Sequence, residues 1–447
     1  MTTDAPPLQL LPDGDVTRDL TPDDIVAACD GLRDRSRQLA GLSTVKIADG
    51  LGRVAAAWLE DADRWLVPTA RDTAAVTGYT PEMVEWALRD LLRRLTPRAL
   101  VALVENELGD REPFQQPRSR AGVPGARGAV PARLTLEVLA GTVPAVAIEA
   151  IALSLLARSP LLLKTSRREP VVARRFVHAI RELAPELAPF VSVVTWDGGD
   201  VALERAACEA ADVVVAWGGD EAIDAISQQC RFPTRFFGYG HRVSFGVIDR
   251  GTAAHERMSL HDVAHGLALD VAAYDQRGCM SPHCVFVARS APWSMDAIAQ
   301  KIVDEALPQV AETLPRGTLE PDVGAAFMQA IGVAEFDGRA HHNAFGAVIM
   351  HTETRFVPSP GGRLIHLVPF ETPDEVFAAL RPLRDAISTV GLITTPAERG
   401  TWLSGLSALG ARRFTRPGRM QRPLWLRDHD GRPRIGDRVE WVSVEPS

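Results

Sequence analysis

Apolar and polar positions change their period along this chain. Over residues 1–112 the pattern reads mainly as helices. Pro22-Asp23-Asp24 opens one, residues 53–66 are amphipathic, and Thr80-Pro81-Glu82-Met83 reads as an N-cap, a proline at the first helical position and then good helix formers. The helical pattern ends near Glu112-Pro113. Residues 115–132, rich in Gly, Pro and Arg, predict an exposed linker or loop.

From Leu134 short apolar runs alternate with helical patterns. Strands are predicted over 134–140, 161–163, 191–195 and 213–216, and helices over 146–158, 169–183, 201–209 and 221–229. This alternation predicts a parallel sheet covered on both faces, with ligands at the carboxyl ends of its strands. A second lobe begins near His241. Turn-like Phe236-Phe237-Gly238-Tyr239-Gly240 precedes it, and residues 243–248 form its first strand. A helix over 261–274, a strand over 284–288, helices over 295–306 and 323–331, strands over 347–350 and 364–368, and a helix over 373–380 follow. Residues 438–444 look like a closing strand.

Composition narrows the function classes. With 447 residues the chain can bury a large core in two or more lobes, and a net charge of −8 gives no support to nucleic-acid binding. The apolar run 143–163 is broken by Pro144, Glu149, Arg158 and Pro160, which argues against a membrane span. The N-terminal 1–30 is acidic, contains proline and has no hydrophobic signal core. Five cysteines, an odd number without metal-type spacing, imply thiols in a reducing cytoplasm. The histidines show no HExxH, and His341-His342 reads as a polar turn, so no metal is expected.

Three stretches carry candidate chemistry. In Asp275-Gln276-Arg277-Gly278-Cys279-Met280-Ser281-Pro282, Gly278 lets the backbone bend between a helix and a strand, so that Cys279 can face a cleft. A thiolate there attacks acyl carbons, and its adduct is itself a reactive thioester. Cys284, inside the following strand, illustrates the commoner case of a buried structural thiol. Lys164-Thr165-Ser166-Arg167-Arg168 ends an apolar strand with a cation, two hydroxyls and two guanidinium groups, which suit a ribose and a phosphate; a solvated helix start is the alternative. Trp217-Gly218-Gly219-Asp220 ends another strand, where glycines permit close ligand approach or simply make a turn. No GxGxxG is present, so an ordinary dinucleotide fingerprint is not supported.

The order of these motifs resembles that of the aldehyde dehydrogenase superfamily. More narrowly, it is similar to the acyl-CoA reductase family of the LuxC type, whose best-known member is the reductase of the bacterial bioluminescence fatty-acid reductase complex. The likeness runs from about Leu134 to the C-terminus. It is carried by Gly141-Thr142-Val143-Pro144, Leu163-Lys164-Thr165-Ser166, Val215-Ala216-Trp217-Gly218-Gly219, Gln276 to Pro282, His429-Asp430-Gly431 and Glu440-Trp441-Val442.

The resemblance implies an α/β, aldehyde-dehydrogenase-like fold with a parallel-sheet cofactor domain and an α/β catalytic domain. The boundaries expected are 1–115 for a helical part of the cofactor domain, 116–240 for its α/β region, 241–415 for the catalytic domain and 416–447 for a closing or oligomerisation segment. It implies Cys279 as nucleophile, Thr142 as an oxyanion donor where the superfamily commonly has Asn, and Lys164, Thr165, Ser166, Arg167, Trp217, Gly218 and Gly219 about the cofactor. Arg167 and Arg168 tilt the cofactor towards NADPH, with NADH the alternative. Hydrolytic relatives carry a glutamate base in a Glu-Leu-Gly-Gly-type segment; the corresponding Phe236–Gly240 stretch has no carboxylate, so water is poorly activated against an acyl-enzyme. The expected function is therefore reduction of an acyl-CoA or acyl-carrier-protein thioester to an aldehyde, in a cytoplasmic homo-oligomer with an acyl-transferase or synthetase partner. Oxidative aldehyde dehydrogenation, CoA-acylating or hydrolytic, and a non-catalytic scaffold are the rival readings. His241 and His283 are secondary acid–base candidates.

Overall fold

The computed structural model describes residues 20–120, 123–250 and 258–446. The reading of the N-terminal stretch lies, for residues 1–19, outside the described residues, as do residues 121–122 of the expected linker. Two compact units divide the chain: Met1–Thr77, Ala87–Gly240 and Leu424–Ser447 make one, and Gly78–Trp86 with His241–Pro423 make the other.

In the first unit the early chain is helical. Helix Pro22–Asp34 starts from a capping box, in which the Thr21 hydroxyl accepts from the Asp24 N–H and the Asp24 carboxylate accepts from the Thr21 N–H. The amphipathic 53–66 pattern is not one helix. Thr44–Glu60 begins earlier, from its Ser43 cap, and breaks before Asp61-Ala62-Asp63, after which Leu66–Thr77 starts. Aspartates compete with helix hydrogen bonding and favour such breaks.

A five-stranded parallel sheet forms the core of this unit. Its order is Val191–Thr195, Leu161–Thr165, Thr135–Val138, Val213–Trp217, Arg235–Tyr239. The chain starts in the middle strand, builds outward on one side, then crosses to the other. That is the strand order of a dinucleotide-binding sheet, and its topological switch lies at the carboxyl end of Thr135–Val138. Helix Val146–Leu156 is mostly apolar and buried nearly throughout, with Glu149 paired to Arg434 as its one charge. Each Leu or Ile it buries contributes roughly 1.5–3 kcal/mol.

Two expectations fail here. Residues 235–239 form the edge strand of the sheet and not a turn. Phe236 packs on one side, with Val214 and Ile226, whereas Phe237 and Tyr239 pack on the other, with Val213 and Val215. Gly238 hides this period-two signal. The expected linker is also structured. Arg118–Arg120 and Val123–Pro131 pair antiparallel, and Val439–Val444 completes a three-stranded sheet. Its partner comes from the far end of the chain, which local reading does not see.

The second unit is built on a seven-stranded sheet, ordered Ala340–Asn343, Gly346–Met350, Leu364–Phe370, Pro282–Ala288, Val243–Ile248, Ile387–Ile393, Arg413–Thr415. Only the first pair is antiparallel. His341 and His342 lie in that edge strand, not in a turn, and bond to Asp296 and Glu335. Residues 295–306 begin a longer helical run: Met295–Lys301 passes through a π turn, Ile302–Ala306, into Leu307–Thr313. Pro308, which lacks an N–H, sits just after the π turn. Among the described residues no helix is long and apolar enough to cross a membrane.

Candidate active site

The cofactor candidates gather at the carboxyl end of the parallel sheet. Gly141 has φ +80°, and a Cβ there would lie 2.7 Å from Ser166 Cβ, so only glycine lets these two loops touch. Thr142 follows it and is exposed. Lys164 is buried at the end of its strand, with Nζ 5.7 Å from the Trp196 ring centre. Burial lowers its pKa, and the nearby Glu204 and Asp197 oppose that shift. Ser166 Oγ accepts from the Arg168 N–H at 3.1 Å, and Arg167 pairs with Asp197 at 2.6 Å in an exposed setting.

Thr165 differs from the others. Its hydroxyl is buried against Thr195 Oγ1 at 2.6 Å, which commits it to holding neighbouring strands together. Glu169 occupies the start of helix Val171–Leu183, accepting from the N–H groups of Val171 and Val172 at 2.8 Å each; burial pushes its carboxyl up to about 7.

On the other side of the switch, Trp217 is fixed by its packing. Its indole N–H donates to Glu137 at 2.9 Å, its ring stacks on Tyr239 at 4.3 Å, and His429 meets both rings edge-on. Buried Glu137 also accepts from Arg438 at 2.8 Å. Thus His429, from a late motif, closes an aromatic cluster; burial pushes its imidazole down to about 4. Gly218 and Gly219 come next. A Cβ on Gly219 would meet nothing within 4 Å, so this turn opens onto space at the start of helix Asp220–Ser227.

The nucleophile candidate lies in the second unit. It precedes strand Pro282–Ala288, so it sits at the amino edge of a parallel sheet. Helix Leu260–Ala272 leads in from a Ser259–Asp262 capping box. Three consecutive residues then adopt left-handed backbone: Tyr274, Asp275 and Gln276, at φ 56°, 47° and 66°. Left-handed backbone at non-glycine residues persists only where the surroundings enforce it, and they do here. The buried Asp275 carboxylate receives Arg363 at 2.8 Å and the Gly317 N–H at 3.0 Å. The Gln276 amide donates to the carbonyls of Pro282 and Leu364 at 2.8 and 2.7 Å and accepts from the Leu364 N–H at 2.9 Å.

After this clamp Cys279 is exposed, while Cys29, Cys208 and Cys284 are buried. Burial pushes the Cys284 thiol up to about 12, which leaves it inert. The Cys279 carbonyl accepts from Ser244 Oγ at 2.7 Å, and that oxygen in turn accepts from the Thr389 N–H. His283 Nδ1 accepts from the Ser359 N–H at 3.0 Å, and burial lowers its pKa, with His241 adding to the effect. It is a neutral ring with its proton on Nε2. Ser244, Arg363 and Gln276 were not singled out as functional by sequence reasoning. The contacts of Ser244 and Arg363, and that of Gln276 with Leu364, span long sequence separations that no local motif announces. Among the described residues no group of three or more His, Cys, Asp or Glu could hold a metal ion.

The fold is that of the aldehyde dehydrogenases. The NAD-dependent aldehyde dehydrogenase of Sinorhizobium meliloti superposes with TM-score 0.71 at 14% identity, over 96% of this chain and 88% of that one. The NADP-complexed glyceraldehyde-3-phosphate dehydrogenase GapN of Methanocaldococcus jannaschii gives 0.68 at 10% identity, over 96% and 95%. The sequence profile of the acyl-CoA reductase (LuxC) family matches residues 39–437, and the chain belongs to that family. Curated relatives include long-chain acyl-protein thioester reductase 2 of Photobacterium leiognathi, 27% identical over 64% of this chain and 58% of its own length. The long-chain acyl-protein thioester reductase of Photorhabdus luminescens is 29% identical over 48% and 44%. The matched regions span about half the length of these relatives.

Proposed function

We propose that this chain reduces a long-chain acyl thioester, carried by a protein or by CoA, to the aldehyde through an acyl-Cys279 intermediate. The observation that carries this reading is the exposed Cys279 thiol on a turn whose backbone is clamped on both sides. Cys279 sulfur attacks the thioester carbonyl, and the carrier thiolate leaves. The Cys279 N–H is the donor we assign to the oxyanion, and the Thr142 hydroxyl is a second donor only as the family resemblance implies. Bound NADPH supplies the hydride. The thiohemiacetal then collapses, the C–S bond breaks, and the aldehyde departs from regenerated Cys279 thiolate.

The first unit fits a dinucleotide on its own features: the switch point, the Gly141–Ser166 contact, Lys164 beneath it and the open turn at Gly219. Lys164 and Ser166 would hold a ribose and Gly218-Gly219 the pyrophosphate. Trp217 acts by shaping the loop through Glu137, and Thr165 by fixing the strand. Arg167, exposed and paired with Asp197, is the residue we assign to a 2′-phosphate, in exchange for that carboxylate, and on that assignment NADPH is favoured over NADH. That these relatives are acyl-protein thioester reductases supports an acyl-protein donor and hence an acyl-transferase or synthetase partner. A homo-oligomer remains part of the proposal.

The direct test is aldehyde formation from a long-chain acyl thioester and NADPH. Cys279→Ala should abolish it while the quenching of tryptophan fluorescence by NADPH is retained. Aldehyde formation by the Cys279→Ala protein would end this reading.

A further inference from the structure

The two residues after Cys279 are held by a segment that the reaction above does not use. Arg413 Nη1 lies 3.4 Å from Met280 Sδ and donates to the Met420 carbonyl at 2.6 Å, while Nη2 donates to the Arg419 carbonyl at 2.7 Å. Gln421 Nε2 donates to Ser281 Oγ at 2.8 Å and to the Asp270 carbonyl at 3.3 Å. The buried Asp270 carboxylate accepts from the N–H groups of Gly418 at 2.6 Å and Met420 at 3.0 Å. A Cβ on Gly266 would sit 2.8 Å from the Pro417 carbonyl carbon. Residues 413–421 are therefore locked to helix Leu260–Ala272, which leads into the nucleophile turn, and grip that turn directly beyond Cys279.

The orientation of the Gln421 amide follows from its partners. The Asp270 carbonyl can only accept, so Nε2 must face it. Oε1 then faces away, buried and without a hydrogen-bond partner, and lies 3.5 Å from where a Gly278 Cβ would be. An acceptor left unpaired costs stability. Here it borders the residue just before the nucleophile, on a flank where a carboxylate of the same shape would place negative charge.

Other charged groups near the turn, among the described residues, have partners of their own. Asp275 is matched by Arg363, and Asp270 by its N–H donors with Arg413 nearby. Arg277 donates to the Thr318 carbonyl and lies over the Tyr79 ring at 4.7 Å; Arg422 lies over the Trp86 ring at 5.0 Å. His283 is neutral, and its electrostatic neighbour is His241. The geometry points to Arg413 and Gln421 as positioning residues for Cys279: Arg413 supplies positive charge that favours the thiolate, and Gln421 fixes the turn while keeping that flank uncharged. A cation beside a cysteine lowers its pKa, and a carboxylate raises it. This inference rests on the reading of Cys279 as the nucleophile.

The test is the pH dependence of Cys279 alkylation by iodoacetamide, followed by peptide mass spectrometry on the full chain without substrate or cofactor. Arg413→Gln and Gln421→Glu should each move the inflection upward by about one pH unit, and Arg413→Lys should leave it in place. Inflections in Arg413→Gln and Gln421→Glu that coincide with the unsubstituted protein would overturn the inference. So would a shift in Arg277→Gln with none in Arg413→Gln. If Arg413→Gln does not fold, Gln421→Glu carries the decision. Alkylation needs no acyl donor, so shifted inflections in a protein that never forms an acyl adduct would sustain this inference and sink the reductase reading. Unshifted inflections with intact aldehyde formation would do the reverse.

Discussion

Cys279 owes its candidacy to its neighbours. Each left-handed residue before it costs on the order of 1–3 kcal/mol, and the Asp275–Arg363 pair with the Gln276 amide offsets that strain. Both members of the ion pair are wholly buried, so removing one strands the other. Arg363→Met should lower stability by about 3–5 kcal/mol in urea unfolding; a midpoint and slope equal to the unsubstituted protein would contradict this. Arg167→Ala should raise KM for NADPH about tenfold and leave KM for NADH unchanged, the scale of one charge-assisted contact. Equal changes for both cofactors would remove the 2′-phosphate role. Cys279 itself was legible because a glycine precedes it between a helix and a strand. Arg363, Ser244 and Gln421 were not, because their chemistry exists only once distant strands are brought together.

At the scale of elements, buried carboxylates set how stability depends on pH. Asp270 anchors the 418–420 turn to its helix, and burial, against its N–H donors, raises its pKa from 3.8 to about 7. A raised folded-state pKa means that the neutral acid is favoured by folding. Its stabilisation is full below about pH 4 and is lost as pH rises towards 7. Glu169, raised from 4.5 to about 7, acts in the same direction. Glu149 runs the other way. Burial opposes its ionisation, but Arg434, Arg427, His429 and Arg94 outweigh it and hold the carboxyl at about 2, so its contribution is lost as pH falls from 4.5 towards 2. Asp270→Asn should therefore flatten the decline of Tm between pH 4 and 7 in calorimetry, and an unchanged slope would refute the assignment. Most strands and helices of the parallel sheet were legible from their period. Strand Arg235–Tyr239 and the hairpin at residues 118–131 were not, since glycine and proline there mimic a loop while long-range pairing supplies the structure.

At the scale of the molecule, the sheet has the strand order of a dinucleotide-binding domain although its sequence lacks the glycine fingerprint of one. At the carboxyl end of that sheet stand a Gly-Gly turn and a buried lysine in place of the fingerprint, so the order of motifs across the chain was more informative than any single motif. The strand Ile387–Ile393 and helix Pro396–Ala408 escaped the sequence reading, the strand because it is buried over its whole length and shows no alternation. The Cys279 thiol is the group on which the proposed reduction turns, and its acylation can be read without knowing where the acyl tail lies. Intact-protein mass spectrometry after mixing with a panel of acyl-CoAs and acyl-proteins, and then with NADPH, reads it directly. An acyl adduct on Cys279 that persists in buffer and disappears with NADPH as aldehyde forms is the predicted result. An adduct that water removes without NADPH, or no adduct with any donor, would contradict it.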